Sequence, residues 1–148
     1  MKANVENTTS FLKSKHIAVA GVSRTGNSVG NAIVKKLLGA GYEVFPVNPH
    51  ATTIDGVACY YSLTDVPGEL DGVVITTNQK DSGDVVRDAI QRGVKNIWFH
   101  KGIGGGSMSA EALRECYAAG INPIEGGCPM MFIQPVDVFH KCLKFFTT

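Results

Sequence analysis

Residues 16–38 constrain the fold more than any other stretch of this chain: His-Ile-Ala-Val-Ala-Gly-Val-Ser-Arg-Thr-Gly-Asn-Ser-Val-Gly, then Asn-Ala-Ile-Val-Lys-Lys-Leu-Leu. The apolar run that opens it is too short for a helix and is bounded by Gly21, so it reads as a buried strand. A turn rich in Gly, Ser and Asn follows. Val29, Ile33 and Leu37 then recur at helical spacing, with Lys35 and Lys36 on another face. A strand that passes into a helix through a glycine turn makes an anion site. The first N–H groups of the helix lack intrahelical acceptors, the macrodipole favours negative charge there, and glycine lets a phosphate approach the backbone. The expectation is a nucleotide-type phosphate resting on residues 21–29.

The rest of the chain alternates between the same two kinds of element. Val5, Thr8, Phe11 and Leu12 predict a leading helix over 5–15. A second strand is expected over 42–47, ending in the turn Asn48-Pro49-His50. A loop with a short edge strand over 54–61 and a turn or single helical turn over 62–67 come next. A strand over 71–76 leads to a helix over 80–92, with Val85, Val86, Ala89 and Ile90 inward and Asp81, Asp84 and Asp88 on the solvent face. Residues 94–99 read as a strand, and Ser107 or Ser109 as the cap of a helix through Ala118 that buries Leu113, Cys116 and Tyr117 before Gly120. A short strand over 121–124 and an amphipathic helix carrying Val138, Phe139, Cys142, Leu143 and Phe146 complete the chain.

Most of these strands are continuous apolar runs, which is the signature of a parallel sheet covered on both faces. The expected fold is α/β, a Rossmann-like doubly wound parallel sheet of about five strands with helices on both faces, in a single domain over 1–148. Ligands in such sheets bind beyond the carboxyl ends of the strands, where the strand order reverses. The loops expected there are 21–28, 48–51, 76–80, 100–106 and 126–131.

Composition removes several function classes. With 44% hydrophobic and 18% charged residues the chain is an ordinary globule, and a net charge of +1 without a basic block gives no footprint for nucleic acid. No apolar run approaches the roughly 20 residues that span a bilayer, and the N-terminus lacks the apolar core of a secretory signal, so a cytoplasmic location is expected. Cys59, Cys116, Cys128 and Cys142 form no Cys-x-x-Cys pair, which favours free thiols and gives no zinc-ligand spacing.

The glycine turn does not spell G-x-G-x-x-G. Dinucleotide folds also place a carboxylate at the end of the second strand to hold the ribose 2′-hydroxyl. Here that strand ends in Pro46-Val47-Asn48-Pro49, and Glu43 comes too early. Simple NAD binding loses ground, whereas a ligand with an additional phosphate is compatible, with Arg24 and His50 as candidates to face it.

Ile-Ala-Val-Ala-Gly-Val-Ser-Arg (17–24), Gly-Tyr-Glu-Val-Phe-Pro-Val-Asn-Pro (41–49), Tyr-Ser-Leu-Thr-Asp-Val-Pro (61–67), Asp-Gly-Val-Val-Ile (71–75), Gly-Val-Lys-Asn-Ile-Trp (93–98) and Gly-Gly-Cys-Pro (126–129) occur in one order. This series resembles the small stand-alone CoA-binding proteins, themselves similar to the CoA-binding domain of the succinyl-CoA synthetase α subunit. The resemblance implies a fold that holds the ADP part of coenzyme A or an acyl-CoA. It implies that Gly21, Ser23, Arg24, Thr25 and Gly26 cradle phosphate, that Asn48 and Pro49, with His50 beside them, flank the adenosine end, and that Thr76, Thr77 and Asn78 line the next wall. The turn holding His100 and Gly102 would contact the pantetheine side; His100 stands where many relatives carry glutamine. The part of the synthetase that bears its phosphorylated histidine has no counterpart here, so synthetase catalysis is not expected.

No nucleophile–base pair or carboxylate dyad stands out, so the expected function is non-catalytic binding of a small-molecule CoA ligand, with no nucleic-acid or membrane partner and with homo-oligomerisation open. Two alternatives differ in class. One is an NAD(P)-binding oxidoreductase-type protein, suggested by the fold alone. The other is CoA-linked thiol or redox chemistry at Cys128, in the Gly-Gly-Cys-Pro loop.

Overall fold

Five apolar segments that cannot satisfy their backbone groups alone pair into one sheet in the computed structural model, which describes residues 5–54, 56–102 and 105–132. The strands are β1 (His16–Ala20), β2 (Glu43–Val47), β3 (Gly72–Ile75), β4 (Asn96–Phe99) and β5 (Ile124–Glu125). Their order is β2-β1-β3-β4-β5 and every pairing is parallel. The order reverses between β1 and β3, which is the switch point of a doubly wound sheet. The expected five-stranded α/β architecture is therefore the observed one.

Helices α1 (Val5–Leu12), α2 (Val29–Gly39), α3 (Gln79–Gln91) and α4 (Ala110–Ala118) connect and cover the strands. Alternate residues of each strand point to opposite faces, so the core divides in two. Ile17, Val19, Val74 and Trp98 pack with Phe11 of α1 and with Ile33, Val34 and Leu37 of α2. Ala18, Val73, Ile75, Ile97 and Phe99 pack with Val86 and Ala89 of α3 and with Ala112 and Cys116 of α4. Phe11 meets Trp98 edge to face at 5.3 Å between ring centroids, a contact worth about 1 kcal/mol beyond its buried area. Gly72 leaves room for it: a Cβ there would lie 3.1 Å from the Phe11 ring.

Several local expectations shift. The inward stripe of α2 is Gly30, Asn31, Ile33, Val34 and Leu37, while Val29, in the first turn, is 38% exposed. Tyr117 is also exposed, its hydroxyl bonded to Glu125 at 2.5 Å, because only Ala112 and Cys116 of α4 reach the core fully. Ser109 caps α4 through the Ala112 N–H, whereas Ser107 is buried and donates to the Ile75 carbonyl at 2.7 Å. The last described strand begins at Ile124 rather than at residue 121, since only Ile124 and Glu125 find partners on β4. Short antiparallel pairings join 53–54 to 57–58 and 101–102 to 105–106; the second has no apolar alternation to announce it. The helix expected around Val138–Phe146 lies outside the described residues.

At the amino end of β1, the Asp71 carboxylate accepts from the Lys15 and His16 N–H groups, each at 3.0 Å. His16 also lies 3.2 Å from Glu43. These contacts lock the entry into β1 at the end of the sheet away from the reversing loops.

Candidate functional site

The turn after β1 is held from inside by one amide. Asn31, 1% exposed in the first turn of α2, accepts from the Ser23 N–H at 2.7 Å and donates to the Ser23 carbonyl at 3.0 Å. Its oxygen also accepts from Ser28, the N-cap of α2. Turn and helix start are therefore one rigid unit, with Ser28 satisfying the Asn31 and Ala32 N–H groups and helix-dipole charge left at the turn.

Two further ties join this unit to the neighbouring loops. The Thr76 hydroxyl and N–H both donate to the Ala20 carbonyl, at 2.7 and 2.9 Å. Asn48 donates to the Val22 carbonyl at 2.8 Å and accepts from the His50 N–H at 2.7 Å. The loops after β1, β2 and β3 thus meet at the switch point. Gly21 makes the meeting possible: its φ is +99°, and a Cβ there would lie 2.5 Å from the Thr76 hydroxyl and 2.7 Å from the Thr77 nitrogen. Gly30 continues the close approach, 2.8 Å from the same hydroxyl on the same test. The bare backbone of Gly21 serves a loop-to-loop contact, a role that phosphate access alone did not suggest.

Around this junction lies an open crevice of about 720 Å³, within the range of small-molecule sites. Of the sequence-predicted site residues, Gly21, Asn48, Pro49, His50, Thr76, Thr77 and Asn78 line it. Ser23, Arg24, Thr25 and Gly26 sit beside it in the adjoining turn, with the Ser23 and Thr25 hydroxyls 2.7 Å apart and Arg24 exposed. Asn78 also caps α3, accepting from the Asp81 N–H at 2.9 Å.

His100, Gly102 and Cys128 are not among the residues that line the crevice. His100 and Gly102 belong to the turn and hairpin that follow β4, where the His100 N–H donates to Ile75 and its carbonyl accepts from Ser107. Cys128 is 2% exposed and packs in the same apolar cluster as Trp98 and α2. The loop does reach the carboxyl edge of the sheet, but the thiol turns inward. Among the described residues Cys59, Cys116 and Cys128 are buried; burial pushes the Cys116 thiol up to about 12, the reverse of what a nucleophilic thiolate needs.

Sequence reasoning missed one wall. Asp81, Asp84, Val85 and Asp88 of α3 line the crevice together with Tyr61, Ser62 and Leu63. The three aspartates were expected on open solvent. Asp88 is instead half-buried, and burial, with Asp84 and Asp65 adding to it, pushes its carboxyl above the usual range against the opposing pull of Arg87. The 61–63 segment is held in place by Arg92, which donates to the carbonyls of Leu63 (2.8 Å), Val66 and Gly68 (2.8 Å).

Comparison with known proteins agrees with this architecture. The profile of the CoA binding domain family matches residues 15–134. The chain is 37% identical over 83 residues to an ADP-forming acetate–CoA ligase II of Archaeoglobus fulgidus, a match that spans 55% of this chain but 12% of the ligase. It is 29% identical over 91 residues to the uncharacterized protein YneT of Bacillus subtilis, spanning 62% of this chain and 67% of that one. A hypothetical protein from Pyrococcus horikoshii OT3 superposes with a TM-score of 0.79 at 29% identity, covering 88% of this chain and 90% of the other. Among the described residues no helix is long and apolar enough to cross a membrane.

Proposed function

The chain belongs to the CoA-binding domain family, and on that premise we propose that it binds coenzyme A or an acyl-CoA by its ADP part in the switch-point crevice, without catalysing a reaction of its own. The observation that carries this reading is the convergence of the loops after β1, β2 and β3 on one crevice of about 720 Å³ beside the first turn of α2. The diphosphate rests on the turn 21–29, where the helix dipole and backbone N–H groups favour it. Ser23, Arg24, Thr25 and Gly26 surround it, and Arg24 supplies the nearby cation. Asn48, Pro49 and His50 border the adenosine end, and Thr76, Thr77 and Asn78 form the wall between. The thiol arm leaves toward His100 and Gly102. Asn48 acts chiefly by position, because its amide is already bonded to Val22 and His50.

The two competing readings lose support on specific grounds. An NAD-dependent oxidoreductase of this fold places a ribose-holding carboxylate at the end of β2, where Asn48 and Pro49 stand. Thiol chemistry at Cys128 needs an accessible sulfur, and this one is buried. Calorimetric titration of the whole chain with CoA and with NAD tests the proposal. Saturable binding of CoA with one site per chain and weaker NAD binding is expected; tighter binding of NAD overturns it.

A further inference from the structure

The crevice is unevenly charged, and the consequence rests on the CoA reading above but goes beyond it. Asp81, Asp84 and Asp88 all line its α3 side, and no lysine or arginine is among the described residues that line it. Arg87 is the neighbouring cation on α3. It is shared between Asp84 and two α4 carboxylates, Glu111 at 2.9 Å and Glu115 at 3.4 Å, and its pull on Asp88 is weaker than the push of Asp84. Arg92 is committed to three carbonyls behind the 61–63 segment. Among the described residues neither Asp81 nor Asp88 forms an ion pair, and the partial burial of Asp88 weakens the screening of its charge by water. The first turns of α2 and α3 both carry positive helix-dipole charge, but that of α3 holds Asp81 whereas that of α2 holds no acidic residue.

The geometry points to the α3 wall as a charge filter for the ligand. It orients a diphosphate-bearing molecule with its phosphates on the turn 21–29 and an uncharged part against α3, and it disfavours a ligand that carries a further phosphate near α3. The crevice itself is the site; the carboxylates decide which member of a ligand series it prefers. For coenzyme A the discriminating group is the ribose phosphate, which dephospho-CoA lacks. Like charges separated by about 8–10 Å across partly screened water change affinity by about two- to fivefold for each carboxylate.

The test titrates wild type, Asp88→Asn and the Asp81→Asn/Asp88→Asn double variant with CoA and dephospho-CoA in one low-salt buffer. The affinity for CoA relative to dephospho-CoA is expected to rise about two- to fivefold in the single variant and further in the double, with the gain shrinking at high salt. Asp88→Glu, which keeps the charge, should retain the wild-type ratio. If the double variant does not fold, Asp81→Asn alone, in the exposed first turn of α3, reads the same ratio. Binding of both ligands with an unchanged ratio overturns the filter and leaves the CoA reading intact. Failure of wild type to bind either ligand overturns both.

Discussion

Replacing Gly21 by alanine separates two effects that a glycine can hide. The new Cβ would sit 2.5 Å from the Thr76 hydroxyl and 2.7 Å from both the Thr76 carbonyl carbon and the Thr77 nitrogen, on a backbone with φ +99°. The left-handed backbone alone disfavours alanine by about 1–2 kcal/mol. Forcing a methyl against main-chain atoms adds about 1–3 kcal/mol. The sum, about 2–5 kcal/mol, is a large share of the roughly 5–15 kcal/mol that holds a domain together. Gly41 supplies the control, because its φ is +94° and nothing lies within 4 Å of its Cβ position. Gly41→Ala should therefore show the backbone effect alone, about 1–2 kcal/mol. Urea unfolding followed through Trp98, the single tryptophan and fully buried, reads both variants. Adding Thr76→Ala to Gly21→Ala should recover only part of the loss, since two of the three close contacts are to backbone. Equal losses at positions 21 and 41 would refute the claim that the loops after β1 and β3 are in enforced contact.

Removing the amide that braces the turn, by Asn31→Ala, should destabilise the fold by about 1–3 kcal/mol, because it strands the half-buried Ser23 backbone groups. It should also weaken CoA binding in calorimetry; unchanged affinity would show that the turn does not need its brace. A pH series tests Asp71, whose carboxyl is held below its ordinary value by the His16 and Lys15 N–H groups. A depressed folded value means that its stabilisation is complete above the unfolded value of about 3.9 and disappears as pH falls through the folded one. Asp71→Asn should be less stable than wild type at pH 7, with the gap starting to close below about pH 4 and gone only below the folded value. A gap that stays constant across that range would refute the assignment.

Parallel strands could be read in the sequence because 17–20 and 72–75 are apolar at successive positions, and only a sheet buried on both faces asks for that. The cap of α4 by Ser109, one of the two serines expected there, is local chemistry and was equally readable. The pairing of 101–102 with 105–106 was not, because a two-residue strand of lysine and glycine carries no period. Asn31 escaped for a different reason. An asparagine in the first turn of a helix ordinarily faces water, and its burial depends on the turn 21–28 folding back over it. Cys128 was placed in the correct loop, but a loop position does not fix whether a side chain points to solvent or to core. Here the neighbouring packing of Trp98 and Met130 draws the sulfur inward.

The acidic wall shows where pattern reading stops being sufficient. Positions 81, 84 and 88 recur at helical spacing and fall on one stripe, away from buried Val86 and Ala89. That stripe is polar whether it meets bulk water or the far side of a ligand crevice, so periodicity cannot distinguish the two. The distinction depends on what stands beside it. The 61–63 segment stands there because Arg92, at the far end of the same helix, binds the carbonyls of Leu63, Val66 and Gly68. Arg92 is separated from Leu63 by 29 positions, and no local rule links them. One helix thus supplies both the carboxylates of one wall and the guanidinium that anchors the other. The width of the crevice and the charge along it therefore depend on the seating of α3.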